Sequence, residues 1–302
     1  MLKISKVSFP GLGIGEFDLN SVAFELPWFG GDRIDIAWYA IFITIGMICA
    51  VGYIIFASKK IGITAEEVID FGLFVIPIGV IGTRLYYVLS KIENYHSFYD
   101  VINIRDGGLA IYGGIIAGGL TVLAMCYFKK INFLAFADCV APGVLLAQGI
   151  GRWGNFMNGE AFGYTTDWFC RMGLNNNLTG NELMFVHPTF LYESLWNIAG
   201  FILAAVLTKY KKKDGQIFLL IFGWYGFGRM FIEGLRTDSL YLGNTGIRVS
   251  QLLAFIIFIL SVVAILYLQF SKKSRPLYHK GLRSKNGGKK SSSCEKGNSK
   301  KK

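Results

Sequence analysis

The chain has 302 residues, of which 53% are hydrophobic and 15% aromatic, with a mean hydropathy of +0.44. Soluble domains hold about 45 to 50% apolar residues, so an ordinary soluble domain is excluded and a polytopic membrane protein is expected. The formal net charge of +11 would suggest nucleic acid in a soluble protein, but twelve of the lysines and arginines fall after residue 270 in one polar tail, and no nucleic-acid partner is expected.

The first 35 residues lack the basic start, apolar core and cleavage site of a signal peptide and are expected to lie on one membrane surface. After them come seven apolar stretches, at about 36–57, 69–90, 109–128, 133–151, 188–208, 216–235 and 248–270. Each approaches the length of about 20 residues that a helix needs to cross a bilayer. Lys59 and Lys60 follow the first stretch, Lys129 and Lys130 the third, Lys209 and Lys211 to Lys213 the fifth, and the twelve-cation tail the seventh. Cytoplasmic loops carry the excess of Lys and Arg. The expected fold is therefore an all-α polytopic membrane protein with seven transmembrane helices over 36–270, its N terminus external and its C terminus cytoplasmic.

Residues 162–186 have few charges and no clear period, and read as a small external lobe with irregular structure, short helices or strands. The tail, 271–302, is Lys, Ser and Gly and too polar to bury a core, so disorder is expected. It reads as a solvated topology anchor, each cation contributing about 1 kcal/mol near anionic lipid. Five cysteines, Cys49, Cys126, Cys139, Cys170 and Cys294, form no CxxC pair, and no structural disulfide is expected.

Charges in hydrocarbon cost roughly 2.5 to 3.5 kcal/mol each on insertion scales, so those present face a cavity or a partner. The candidates sit on the predicted external half. Tyr39 begins the first helix, Arg84 lies in the second, Asp106 and Tyr112 open the third in RDGGLAIYGG, and His187 and Glu193 open the fifth in HPTFLYES. GRWGNFMNGEAFG, residues 151–163, gathers Arg152, Asn155, Asn158 and Glu160 in a glycine-rich stretch. An arginine fork suits phosphate or carboxylate, and carboxamides supply both donors and acceptors. In GWYGFGRMFIEGLR, Tyr225, Arg229, Glu233 and Arg236 fall within about 80° of one helical face. Glu233 is spaced to neutralise Arg229 and Arg236, which still leaves a surplus cation. With Arg152 and Arg84 nearby, the cluster calls for an anion such as a lipid phosphate.

These segments, with WY at 38 and 39, resemble the prolipoprotein diacylglyceryl transferase family from about residue 20 to 270. The resemblance implies a membrane enzyme of the bacterial plasma membrane. It would move the diacylglyceryl group of phosphatidylglycerol onto the lipobox cysteine of a prolipoprotein precursor and release glycerol phosphate. Arg152, Asn155 and Glu160 match the family signature. Tyr225, Arg229, Glu233 and Arg236 match its polar stripe, and Tyr39 and Glu193 match further positions. Many relatives carry histidine, the candidate catalytic base, where this chain has Tyr112; the resemblance implies a catalytic position for Tyr112, although a phenol ordinarily titrates near pH 10 and is a poor base at neutral pH unless its pKa is strongly lowered, which leaves the identity of the base open.

The chemistry needs a thiolate and cations on the leaving phosphate. Arg152 and Arg229 are the first candidates for those cations, with Arg236 and Arg84 behind them. Asn155 orients the head group, Asn158 lies beside it, and Glu160, Glu193 or Glu233 holds an arginine or takes the proton. No cofactor or metal is expected: the three histidines have no HExxH or paired spacing, and no GxSxG elbow is present. His187 reads as a cap or interface residue. A transporter of an anionic lipid or solute would place its polar groups near the midplane between repeats. A retinal photoreceptor would need a lysine in the last helix, and 249–270 has none. The GlyGly pairs at 107–108, 113–114 and 118–119 include one, the last, expected to serve helix packing.

Overall fold

The computed structural model describes residues 4–27, 33–95, 97–103, 107–237, 246, 248–271 and 277–280. Asp106, Cys294 and most of the tail lie outside the described residues. Among the described residues, eight α-helices run in order: α1 (Trp38–Ser58), α2 (Ala65–Ser90), α3 (Phe98–Ile102), α4 (Ile111–Phe128), α5 (Phe133–Met157), α6 (Thr189–Leu207), α7 (Gln216–Leu235) and α8 (Val249–Phe270). Among the described residues, seven helices, all but α3, are long and apolar enough to cross a membrane. Six strands accompany them among the described residues: β1 (Ile4–Phe9), β2 (Ile14–Asn20), β3 (Val22–Pro27), β4 (Arg33–Ala37), β5 (Met172–Asn175) and β6 (Met184–Val186). The chain divides into two compact units, Met1–Gly52 with Asp138–Arg275, and Tyr53–Ala137 with Pro276–Lys302.

In the first unit, the residues expected to form a lobe share a sheet with the start of the chain. Its strand order is β2-β1-β5-β6, with β1 antiparallel to β5 in the register Lys6↔Asn175 and Val7↔Leu174. Alternate residues of β1 point inward, so Val7 and Phe9 pack with Leu19, Met172, Leu174, Val186 and Phe190. Asn176 is buried below this sheet and donates to Gly159 O at 2.8 Å and Ser5 Oγ at 3.3 Å, which ties the signature turn to the N-terminal strand. β3 and β4 form a separate antiparallel pair leading directly into α1.

The glycines of the signature act as packing surfaces. Helix α5 continues to Met157, six residues past the expected end at 151, so Arg152 and Asn155 are helical. A methyl on Gly154 would lie 2.8 Å from Tyr39 Cδ2, one on Gly151 would lie 3.2 Å from Ile43 Cδ1, and one on Gly46 would lie 2.9 Å from Ala147 O. The missing side chains let α1 close on α5, and Tyr39 is thereby set against the signature.

Helices α6 and α7 are joined by a reciprocal tryptophan pair. Trp196 and Trp224 stack at 4.2 Å with 15° between planes, each Nε1 donating to the other's carbonyl at 3.0 Å. Gly200 and Gly228 make room for the two indoles. At the other end of α7, Asp138 accepts from Gly215 N and Phe218 N at 2.8 Å each and pairs with Lys211 at 3.1 Å. It serves as a remote N-cap, satisfying amides that the helix itself leaves open. Lys213 Nζ donates to Ser271 O at 2.7 Å, closing the end of α8. The lysines after α6 thus secure helix ends.

The second unit pairs α2 with α4. A capping box, Thr64 with Glu67, starts α2 at Ala65, four residues before the expected start. The close approach uses Gly82 against Gly113 and Ala117, and Gly114 against Thr83. Gly118 meets only an ordinary contact with Val75, and a side chain at Gly119 would meet open space. Packing therefore falls on the 113–114 pair. Of the tail, residues 277–280 are described and are docked: Tyr278 Oη donates to Lys130 O at 3.3 Å, Lys280 pairs with Glu67, and His279 covers the bare face of Gly62.

Candidate active site

Glu193, on the first turns of α6 and 5% exposed, is the node of the first unit. Three guanidiniums converge on its carboxylate. Arg152 from α5 pairs with Oε2, while Arg229 from α7 reaches Oε1 at 2.9 Å and Arg236 reaches the same oxygen at 3.3 Å. Ser194 fixes the α5–α6 side of this junction, donating to Gly149 O at 2.8 Å and accepting from Trp153 Nε1 at 3.2 Å. The tryptophan pair fixes the α6–α7 side, since Gly228, which accommodates Trp196, precedes Arg229. A buried carboxylate costs several kcal/mol to desolvate and persists here because cations surround it.

Arg229 bridges two carboxylates, its Nη1 on Glu193 and its Nη2 2.6 Å from Glu233 Oε2, and Glu233 is 3% exposed. Helix α7 ends at Leu235, so Arg236 does not continue the helical stripe. Its backbone is extended and bridges Gly163, which turns the guanidinium toward Glu193. Tyr225, half-buried, packs against the apolar cluster of Ala141, Leu145, Ala204, Ile217 and Ile221.

A second, uncharged-to-charged cradle adjoins Arg152. Its Nη1 lies 3.4 Å from Asn155 Oδ1. Asn155 Nδ2 and Asn158 Nδ2 both donate to Glu160 Oε1, at 3.1 and 3.0 Å. The turn that brings Glu160 back over Asn155 needs left-handed backbone at Gly159 and Ala161, and at Gly159 a side chain would strike Ser5 and Asn176. The arrangement offers rigid cationic forks beside carboxamides and a carboxylate, a set suited to a phosphate carrying hydroxyl groups.

The family model for prolipoprotein diacylglyceryl transferase matches residues 27–267. The chain belongs to the prolipoprotein diacylglyceryl transferase family. It is 44% identical over 261 residues to phosphatidylglycerol–prolipoprotein diacylglyceryl transferase 1 of Clostridium perfringens, covering 82% of this chain and 94% of that relative. The enzyme of the same name from Enterococcus faecalis is 42% identical over 259 residues, covering 82% and 90%. That from Limosilactobacillus reuteri is 38% identical over 275 residues, covering 87% and 96%.

Of the residues chosen from sequence in this transferase-family chain, Arg152, Asn155, Asn158, Glu160, Glu193, Arg229, Glu233 and Arg236 form one linked polar cluster, with Tyr39 against Gly154 at its edge. Tyr112 and Arg84 lie in the second unit. Tyr112 opens α4, its ring 6.4 Å from that of Tyr86. Arg84 is buried and spends its donors on backbone: Nε on Val101 O at 2.9 Å, Nη1 on Gly107 O and Gly108 O at 2.7 and 3.0 Å, Nη2 on Asp100 O at 2.6 Å. It clamps the segment between α3 and α4.

Beside the cluster, Arg248 went unseen in the sequence, and so did the Tyr192 hydroxyl that joins His187 to Cys170. Arg248 donates to the backbone oxygen of Glu233 and, at 2.9 Å, to Tyr164 Oη. Its only sequence signal is a cation at a helix start, where the helix dipole disfavours it. In the lobe, His187 Nδ1 and Cys170 Sγ each lie 3.2 Å from Tyr192 Oη, and burial lowers the His187 pKa below its ordinary 6.5. His187 is an interface residue with a hydroxyl partner one turn along α6, and not a helix cap.

Proposed function

We propose that this protein transfers the diacylglyceryl group of phosphatidylglycerol to the lipobox cysteine of prolipoprotein precursors, forming a thioether and releasing glycerol phosphate, in a bacterial plasma membrane. The carrying observation is the convergence of Arg152, Arg229 and Arg236 on the single buried carboxylate of Glu193. Sulfur attacks the glycerol carbon that bears the phosphate. The carbon–sulfur bond forms, the carbon–oxygen bond breaks with its electron pair going to the phosphate oxygen, and the thiol proton leaves to a base or to water.

Charge grows on the leaving phosphate in that step. Guanidiniums already fixed in a water-poor site stabilise it without reorganising. Glu193 holds the three arginines in place against their mutual repulsion and is committed to that task, so the proton goes elsewhere. Arg152 and Arg229 take the leaving phosphate, with Arg236 behind them. Asn155, Asn158 and Glu160 read the hydroxylated head group, and Tyr39 and Tyr225 border the acyl-bearing part. Glu233 orients Arg229. Arg84 shapes the segment before α4. The lobe meets the precursor peptide.

The test is incubation of the purified full chain with phosphatidylglycerol vesicles and a lipobox peptide. Mass spectrometry should find a diacylglyceryl thioether on the cysteine, with glycerol phosphate released one for one. An unchanged peptide mass, or transport of intact lipid without a thioether, contradicts the reading.

A further inference from the structure

Arg229 can present a phosphate with a fixed fork only if Glu233, which holds its other end, is itself fixed. Glu233 carries its carboxylate on the last turn of α7, one residue pair from where the helix stops. A side chain at a helix end ordinarily keeps rotamer freedom, and the polar contacts around Glu233 remove it. Ser250, on the first turn of α8, donates from Oγ to Glu233 Oε1 at 2.5 Å, while Arg229 occupies Oε2 at 2.6 Å. One carboxylate oxygen thus accepts a hydrogen bond from the hydroxyl and the other lies in ion-pair contact with the guanidinium, which restrains the group from both sides.

The helix turn beneath is also held. Arg248 donates to the backbone oxygen of Glu233 and, through its other terminal nitrogen, to Tyr164 Oη. Tyr164 N donates in turn to Leu235 O at 2.8 Å, so the lobe and the start of α8 close on the end of α7 together. Gln251 Nε2 adds a bond to Met230 O at 2.9 Å. The α7–α8 contact is close enough for this because Gly226 lets the backbone of Ala254 approach.

We propose that Ser250 is a positioning residue for the transfer reaction, setting the Glu233 carboxylate so that Arg229 meets the leaving phosphate in one orientation, with Arg248 clamping the turn that carries Glu233. This rests on the phosphate role given to Arg229 above. Ser250 touches no substrate in this scheme. Its loss leaves lipid binding intact and slows the chemical step, because Arg229 then samples orientations that do not serve the transition state.

The experiment compares the full-length parent, Ser250→Ala, Ser250→Thr and Arg229→Gln in phosphatidylglycerol vesicles, measuring kcat and KM for a lipobox peptide together with melting temperature. A hydrogen bond to a charged group corresponds to roughly a tenfold rate effect. Ser250→Ala is expected to lower kcat about tenfold with KM within about twofold, and Ser250→Thr, which keeps the hydroxyl, to recover most of the parent kcat. If Ser250→Ala turns over like the parent, if Ser250→Thr is as slow as Ser250→Ala, or if the loss follows the melting temperature alone, the inference is overturned. Full turnover by Arg229→Gln would instead overturn the phosphate role on which it rests, and is a separate result.

Discussion

Glu193 shows how one residue's surroundings decide its work. Its position in an apolar stretch marked it from sequence as costly and therefore partnered, but which cation it takes depends on three helices meeting. The spacing on α7 suggested that Glu233 neutralises Arg229 and Arg236, and the structure adds that Arg236 leaves the helix and reaches Glu193. Arg84 was equally visible as a charge, and its backbone targets were not, because carbonyl geometry after α3 has no signature in side-chain pattern. Ser250 and Arg248 gave almost no signal, one being small and the other a lone cation at a helix start, where the dipole disfavours it. At the lobe, His187 is expected to make stability depend on pH. Burial lowers its pKa below 6.5, so the folded lobe favours the neutral ring. The stability this represents is complete above about pH 6.5 and is lost as pH falls through the depressed folded-state value. Thermal melts should fall in midpoint between pH 7 and 5, and His187→Gln should flatten that fall. A parent and variant with the same pH profile would count against the buried imidazole as its source.

Helices were legible one by one because a hydrophobic span needs only local composition, and their ends were less so. The capping box of Thr64 and Glu67 was present in the sequence and extends α2 upstream. The extra turns of α5 rest on the fit of Tyr39 and Ile43 over Gly154 and Gly151, which requires knowing that α1 lies there. Strand β1 has the alternation of a half-buried strand, but its partner β5 is some 165 residues away, and no local pattern announces that pairing. Asp138 presents the same difficulty at the opposite end of α7, where a carboxylate from α5 caps a helix that begins about 80 residues later. Its side chain is 1% exposed, so Asp138→Ala would strand two amides and leave Lys211 with Asp214 alone of its two carboxylate contacts in this cap. A loss of about 3 kcal/mol is expected, seen as a lower melting temperature in detergent, with Asp138→Asn losing less. An Asp138→Ala protein that melts like the parent would show that the cap contributes little.

For the molecule as a whole, family, span number and the identity of most of the polar cluster could be read from the chain, since charges in hydrocarbon are few and each has a reason. The division into two compact units could not, because α1 and α5 each cross the boundary without a break in pattern. The basic clusters predict that a reporter after Lys302 is cytoplasmic and a tag at Leu178 external; a tag at Leu178 accessible only from the cytoplasm would reverse the arrangement. The docked residues 277–280 fit a tail held close at its start. What most directly tests the account is the single-turnover rate of Arg152→Lys against the parent, with melting temperatures taken on the same preparations. Lysine keeps the charge and loses the planar fork that pairs with Glu193 and, in the proposed reaction, takes the phosphate. The account predicts a rate at least about a hundredfold lower in a protein that melts within a few degrees of the parent. A rate equal to the parent's, or a loss accounted for wholly by unfolding, would contradict it.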